Sequence, residues 1–218
     1  MSIDVAPAVK LATALRERTR TAHEEAESSP FVRELMEGKR SLADYVALAG
    51  QQYFVYQALE AVGATFRDDP QIGAFIDPEL ARVAAIEADL DFLDPGWREH
   101  LQPLPATTAY VARIHGLADW PVGYLAHHYT RYLGDLSGGQ VIRTMLQRHY
   151  GLGEEGLGFY LFPGIAKPKV FKDEYRARLD AVELDDAELS RVLEEANAAF
   201  RCNQALFVEL DAATAQVA

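Results

Sequence analysis

A chain of 218 residues, 49% hydrophobic and 25% charged, can bury a sizeable core as one large domain, and its composition excludes a disordered or fibrous protein. Its 33 acidic against 21 basic side chains leave a net charge of −12, which repels nucleic-acid phosphates and anionic lipid surfaces and argues against nucleic acid as a partner. The single cysteine, Cys202, excludes an intrachain disulfide, fits a reducing compartment and reads first as a small buried apolar side chain.

Apolar residues recur mainly at spacings of three and four, and no Asn-Gly or Asp-Gly signals stand between alternating runs, so the pattern predicts an all-α chain. The N-terminal stretch lacks the continuous apolar run of a secretory signal, and no window approaches the ~18 apolar residues of a membrane span. A cytoplasmic protein without a membrane anchor is expected.

The first helix is predicted from Val9 to Glu27, stopped by Ser28-Ser29-Pro30, and a short one from Phe31 to Glu37 ends at Gly38. Ser41 has the look of an N-cap, with Asp44 three residues on as a weaker capping box, opening a helix that continues to Phe66. Another runs from Pro78 to Phe92. Pro105 and Pro121 suit first-turn positions of two more, the second reaching Tyr150. The breaker-rich segment after it is too aromatic for a solvated linker and is expected to lie against the body. Helices from Lys169 to Val182 and from Asp185 to Leu210 complete about eight, in a single domain spanning 1–218 with its core at about 9–212.

Chemistry concentrates in "HHYTRYLGDLSGGQ", residues 127–140, where Gly134, Gly138 and Gly139 surround Asp135 inside a predicted helix. Three interior glycines forfeit roughly 3 kcal/mol of helix propensity, so something must compensate. Gly134 and Gly138 are four apart and share a helix face, where missing side chains admit either a packed neighbour helix or a flat ligand. No strand precedes them and no Lys-Ser/Thr pair follows, which sets phosphate-binding loops aside. None of the six histidines has an acidic residue three positions before it, so the di-metal signature of ferritin-like bundles is missing.

His23 differs from the other histidines in having Glu27 one turn on to steady its imidazole, although a surface ion pair is the plainer reading. Against the acidic total, two basic clusters stand out: Arg16, Arg18 and Arg20 before His23, and Lys167, Lys169, Lys172, Arg176 and Arg178 late in the chain. Such clusters suit a ligand with carboxylate arms or an acidic protein partner.

The segments "YTRYLGDLSGGQ" and "AHEEAE", followed in order by "FYLFPGIAK", "FKDEYR" and "AFRCNQALF", resemble the heme oxygenases over roughly Leu11 to Leu210. The resemblance implies an all-α fold with heme sandwiched between a proximal helix and a kinked distal helix. It implies cleavage of heme at a meso carbon, alpha by the family pattern, to biliverdin, carbon monoxide and ferrous iron, using O2 and reducing equivalents. Heme is then both substrate and cofactor. On this match His23 is the iron ligand and Glu27 bonds its outer nitrogen; Gly134, Gly138 and Gly139 face the heme; and Asp135 is the distal proton-managing residue. Tyr56, Tyr110, Arg131 and Asn203 match the distal hydrogen-bond network, although Arg131 and Asp135, four apart, could equally form an ordinary helix ion pair. Arg16, Tyr129, Lys172 and Arg176, with Lys167, match positions that hold the heme propionates. Arg16 replaces the lysine usual there, which keeps charge but changes geometry and bears on which meso edge is attacked. A ferredoxin, flavodoxin or NAD(P)H-dependent reductase is the implied electron donor, and the protein is expected to be a monomer serving iron acquisition or pigment synthesis. Two rivals share the helical framework: a thiaminase-like hydrolase using Cys202, and a heme-binding protein without turnover.

Overall fold

The computed structural model describes residues 10–214. Val9, the expected start of the first helix, lies outside them. Eleven α-helices are present among the described residues, together with 3₁₀ turns at 73–75, 78–80 and 158–160 and a π turn at Tyr129–Leu133.

The expected first helix is two, α1 (Leu11–Arg18) and α2 (Arg20–Glu27), separated at Thr19. At that point Thr19 Oγ1 donates to the carbonyl of Leu15 at 2.7 Å, a back-bond of the kind that favours a bend. Helix α3 (Pro30–Met36) follows with proline in its first turn. Helix α4 (Leu42–Thr65) is capped as its sequence predicts, Ser41 Oγ accepting from the Asp44 amide and Asp44 Oδ2 accepting from the Ser41 amide. It is buried along most of its length, and Gly63 is needed there because a Cβ would stand 2.4 Å from the Tyr124 hydroxyl.

The expected helix from Pro78 begins instead as a 3₁₀ turn and becomes α-helical only at α5 (Val83–Leu93). After the short α6 (Trp97–His100), prolines open α7 (Pro105–His115) and α8 (Pro121–His128) as expected. The helix expected to run unbroken from Pro121 to Tyr150 does not. It passes from α8 into the π turn, breaks at Leu136–Ser137, and resumes as α9 (Gly138–Tyr150). Helices α10 (Pro168–Leu179) and α11 (Asp186–Thr214) close the chain.

The long α11 is the spine against which α1, α2, α3, α7 and α8 pack, while α4 packs on α5 and α7. One continuous core of leucine, tyrosine and phenylalanine side chains joins them. Polar ties hold these elements together: Arg40 binds Glu34 and, on the spine, Asp211 and Thr214, while the α1 amide of Ala12 donates to Asp180 at the end of α10. Cys202, expected to be buried, is half-buried on α11.

Candidate active site

The interrupted segment from α8 to α9 faces α2 across a gap. Gly134 has open space where a Cβ would project, and a Cβ on Gly138 would meet only the Glu27 carboxylate, at 3.9 Å. The glycines therefore leave bare backbone opposite the His23 helix rather than accommodating a packed helix. Gly139 is different: it is buried under the Tyr160 ring, which a Cβ would approach to 3.3 Å. Packing against that ring is thus one reason for the third glycine.

His23, one turn before Glu27 on α2, is exposed, its ring making an edge contact with Phe200 at 5.5 Å. Its Nε2 stands 3.6 Å from Glu27 Oε1, beyond hydrogen-bond length, with both side chains at least half exposed. The pair is assembled as its spacing predicts, without the bond.

Across the gap, Asp135 sits at the break with its carboxylate turned into the body. Tyr56 donates to its Oδ2; Arg131 donates from Nε to the Tyr56 oxygen at 3.2 Å and from a terminal nitrogen to Asn203 Oδ1 at 2.7 Å. Arg131 thus reaches Asp135 through Tyr56 instead of forming the direct pair that the four-residue spacing allowed. Burial pushes the Asp135 carboxyl up to about 6, although Arg131 and Tyr56 pull it down. Tyr110 lies near this group, within the field of Arg131 and Asp135, but its buried hydroxyl makes no protein hydrogen bond.

The break itself is held by Lys172, whose ammonium donates to the carbonyl of Leu136 at 3.2 Å and to Ser137 Oγ at 2.9 Å. Tyr129 is brought close to Arg16 and Arg176: burial raises its phenol, and both guanidiniums oppose that rise. Arg176 also pairs with Asp173 at 3.0 Å. Lys167, exposed just ahead of α10, is outside this cluster of contacts.

The two adjacent histidines are removed from the gap. His127 is fully buried, with Nε2 against Glu195 at 2.6 Å, and Arg113 closes on the same carboxylate with two bonds of 2.7 and 2.6 Å. Burial opposes ionisation of Glu195, but the bonds from His127 and Arg113 prevail and hold it at about 2. His128 is buried against Tyr175, which it meets at 2.7 Å, and burial drives its imidazole down to about 3. Neither histidine is available as a ligand toward the gap.

Residues that the sequence did not flag also shape the site. Gln140 bonds the carbonyls of Asp135 and Tyr160 at 3.3 and 2.8 Å, and Phe159 packs edge-on against Tyr56 at 5.2 Å. Gln140 was visible only as the last letter of a motif, and nothing in its spacing pointed to residue 160.

A flat ligand with one face on bare backbone, an imidazole on the other and cations at one edge fits this arrangement. The donor set is one imidazole, which suits a metal that brings its remaining ligands with it.

Comparison with known proteins agrees with the geometry. The heme oxygenase family model matches residues 9–209. Heme oxygenase 1 of Synechocystis is 40% identical over 205 residues, covering 93% of this chain and 85% of that protein, and heme oxygenase 1 of Gallus gallus is 40% identical over 205 residues, covering 92% and 69%. The crystal structure of the Synechocystis heme oxygenase-1 in complex with heme superposes with a TM-score of 0.91 at 38% identity, covering 96% of both chains. A heme oxygenase structure from Leptospira interrogans gives 0.87 at 38% identity, covering 92% of this chain and all of that one.

Proposed function

The chain belongs to the heme oxygenase family, and on that premise we propose how its own residues divide the work of opening heme at the alpha meso carbon. The enzyme degrades heme to biliverdin, carbon monoxide and ferrous iron. Heme, when bound, supplies the iron that activates O2 and the ring edge that is oxidised.

His23 is the iron ligand, and Glu27 steadies its imidazole, the 3.6 Å separation needing only a small rotation to become a bond. Gly134 and Gly138 form the distal surface: without side chains they let the ligand lie against backbone and leave room beside it for dioxygen. Arg16, Tyr129, Lys172 and Arg176, with Lys167, receive the propionates. The arginine at position 16 can grip a carboxylate with two donors, which fixes the in-plane orientation and so the exposed meso edge.

Asp135 manages protons. With Oδ2 engaged by Tyr56, Oδ1 is the atom that holds a water or passes a proton toward the gap. A carboxyl raised by burial to about 6 exchanges protons readily near neutral pH, where an ordinary aspartate stays ionised. Arg131 and Asn203 keep Tyr56 oriented, and Tyr110, its hydroxyl free of protein partners, is available to a bridging water. Reducing equivalents come from an acidic ferredoxin, flavodoxin or reductase docking near the basic residues, in the cytoplasm, to a monomeric enzyme. Among the described residues no helix is long and apolar enough to cross a membrane.

The observation that carries this reading is the bare backbone at Gly134, open to space, and at Gly138, opposite the Glu27 carboxylate that stands 3.6 Å from the exposed His23 imidazole, with Asp135 beside it. Its test is to add hemin, then ascorbate or a reductase system in air, and to follow the visible spectrum. Decay of the Soret band with growth of biliverdin absorption is expected. A stable Soret band would identify a binding protein, and no Soret shift on adding hemin would remove heme from the account.

A further inference from the structure

Helix α5 carries two buried charges that none of the chemistry above uses. Arg82, at its N-cap, and Asp89, two turns on along the same face, are 5% and 3% exposed. Charges that deep are retained only where their bonds are made.

Both are directed at the same turn, 158–160, and at the strand-like residue after it. Asp89 accepts from the amides of Gly158 and Phe159, each at 2.7 Å, one on each carboxylate oxygen. Gly158 is required for that approach, since a Cβ would lie 3.0 Å from Asp89 Oδ1. Arg82 donates to the carbonyls of Phe159 at 3.2 Å and of Leu161, while its remaining donors bind Leu80 and Glu79 at 3.0 and 3.3 Å and its plane lies 3.9 Å over the Phe162 ring. A carboxylate on the amides and a guanidinium on the carbonyls grip one turn from both polarities.

That turn is the back wall of the site. It presses Phe159 on Tyr56, sets Tyr160 over Gly139, and offers the Tyr160 carbonyl to Gln140, whose amide nitrogen also holds the Asp135 carbonyl. We propose that Arg82 and Asp89 are positioning residues for the reaction, acting through the 158–161 turn and Gln140 to fix the orientation of Asp135 at the helix break. Asp135 is the last helical residue before the break at Leu136–Ser137, directly after the π turn, so no continuing helical turn follows to hold it from the C-terminal side. Arg82 also acts through space: Asp135 is foremost among the anions that favour its charge, and its field helps hold the Asp135 carboxyl down.

The inference rests on Asp135 being the distal acid, and its test separates the two. In the heme-free protein, carbon-13 NMR of the Asp135 carboxyl is followed against pH in wild type, Arg82→Met and Arg82→Lys. Loss of the cation in the Met variant is expected to raise the midpoint, and the Lys variant is expected to restore it in part; identical midpoints in all three would overturn the electrostatic link. In the hemin-loaded enzyme, Arg82→Lys and Gln140→Met are each expected to lower kcat for biliverdin by on the order of tenfold with hemin affinity unchanged. The double variant is expected to be no worse than the poorer single one, because both lie on one path. Multiplying fold-losses, or single variants with wild-type kcat, would overturn the positional link. Gln140 is partly exposed, so its variant remains informative if Arg82 variants fail to fold. If Asp135→Asn keeps a wild-type biliverdin yield, the role of Asp135 falls, while the NMR midpoints still decide the clamp.

Discussion

Tyr56 stands between Arg131 and Asp135, giving its hydroxyl hydrogen to the carboxylate and taking a hydrogen bond from the guanidinium at the same oxygen. A phenol in that place links the cation to the carboxylate, and both its bond and the guanidinium charge favour the ionised form of Asp135. Tyr56→Phe removes a bond that pulls the Asp135 carboxyl down and leaves Arg131 Nε without a partner in a buried site. The Asp135 midpoint should rise above its value near 6, and biliverdin formation should slow by roughly tenfold or more. Carbon-13 titration and single-turnover rates measure the two effects; a lower midpoint would mean the phenol does not stabilise the carboxylate.

His23→Ala should abolish turnover and spare the fold. The imidazole is half exposed, touches Phe200 at its edge and makes no bond to Glu27, so truncation should change unfolding free energy by less than about 1 kcal/mol. Added imidazole should restore part of the hemin spectrum and of the rate. A His23→Ala enzyme that turns over at the wild-type rate would move the iron ligand elsewhere.

The distal glycines invite the opposite experiment, a substitution that helps the fold and harms the function. Gly134 has helical backbone angles, φ −61° and ψ −50°, with nothing near its missing side chain. Gly134→Ala should therefore stabilise the heme-free protein by up to about 1 kcal/mol, or a rise in Tm of roughly 2–4 °C. The new methyl would project into the gap and weaken hemin binding by about 1–3 kcal/mol. Calorimetry and hemin titration, run on the same sample, test both signs. Unchanged hemin affinity would show that the ligand does not lie on this face.

What could be read from the sequence divides by the range of the interaction. Ser41 with Asp44 is a local device, and it forms as its three-residue spacing predicts. The glycine cluster announced a disturbed helix, but the π turn, the break at Leu136–Ser137 and the assignment of Gly139 to Tyr160 depend on packing from elsewhere in the chain. Thr19 gave no warning of its break, because the same bond to the carbonyl four residues back is made by Thr144 inside the unbroken α9. The Arg131 and Asp135 spacing suggested an ion pair, and only a tertiary neighbour 75 residues from Arg131 interrupts it. Arg82 was unreadable for the same reason: its carbonyl partners on the turn lie 77 and 79 residues away, and carbonyls have no sequence signature.

Acid should unfold the protein partly through His128. Its imidazole is held down to about 3 by burial, whereas in the unfolded chain it takes a proton near 6.5. Between those values the unfolded state binds more protons, so stability is lost as pH falls below about 6.5, amounting to about 2 kcal/mol by pH 5. His128→Phe should be less stable than wild type at pH 8, where the Tyr175 bond is lost, yet should lose less on going to pH 5. Parallel urea midpoints for the two proteins across this range would exclude His128 as the sensor.

Asp135 responds with the reverse sign and shows what the site costs the heme-free fold. Folded Asp135 keeps its proton to about pH 6, while the unfolded chain releases it near 3.9. Here the folded state binds more protons, so stability falls as pH rises through this window, and the full penalty, at most about 3 kcal/mol, stands above it. Asparagine cannot ionise and escapes that penalty, less whatever the altered bond to Tyr56 takes back. The Tm difference between Asp135→Asn and wild type should therefore grow from pH 4 to pH 7. A difference independent of pH would show that the carboxyl is solvated and ordinary, and with that the proton-managing role would lose its physical basis. A growing difference would mean that the chain keeps a destabilising acid at a helix break because the reaction needs one there.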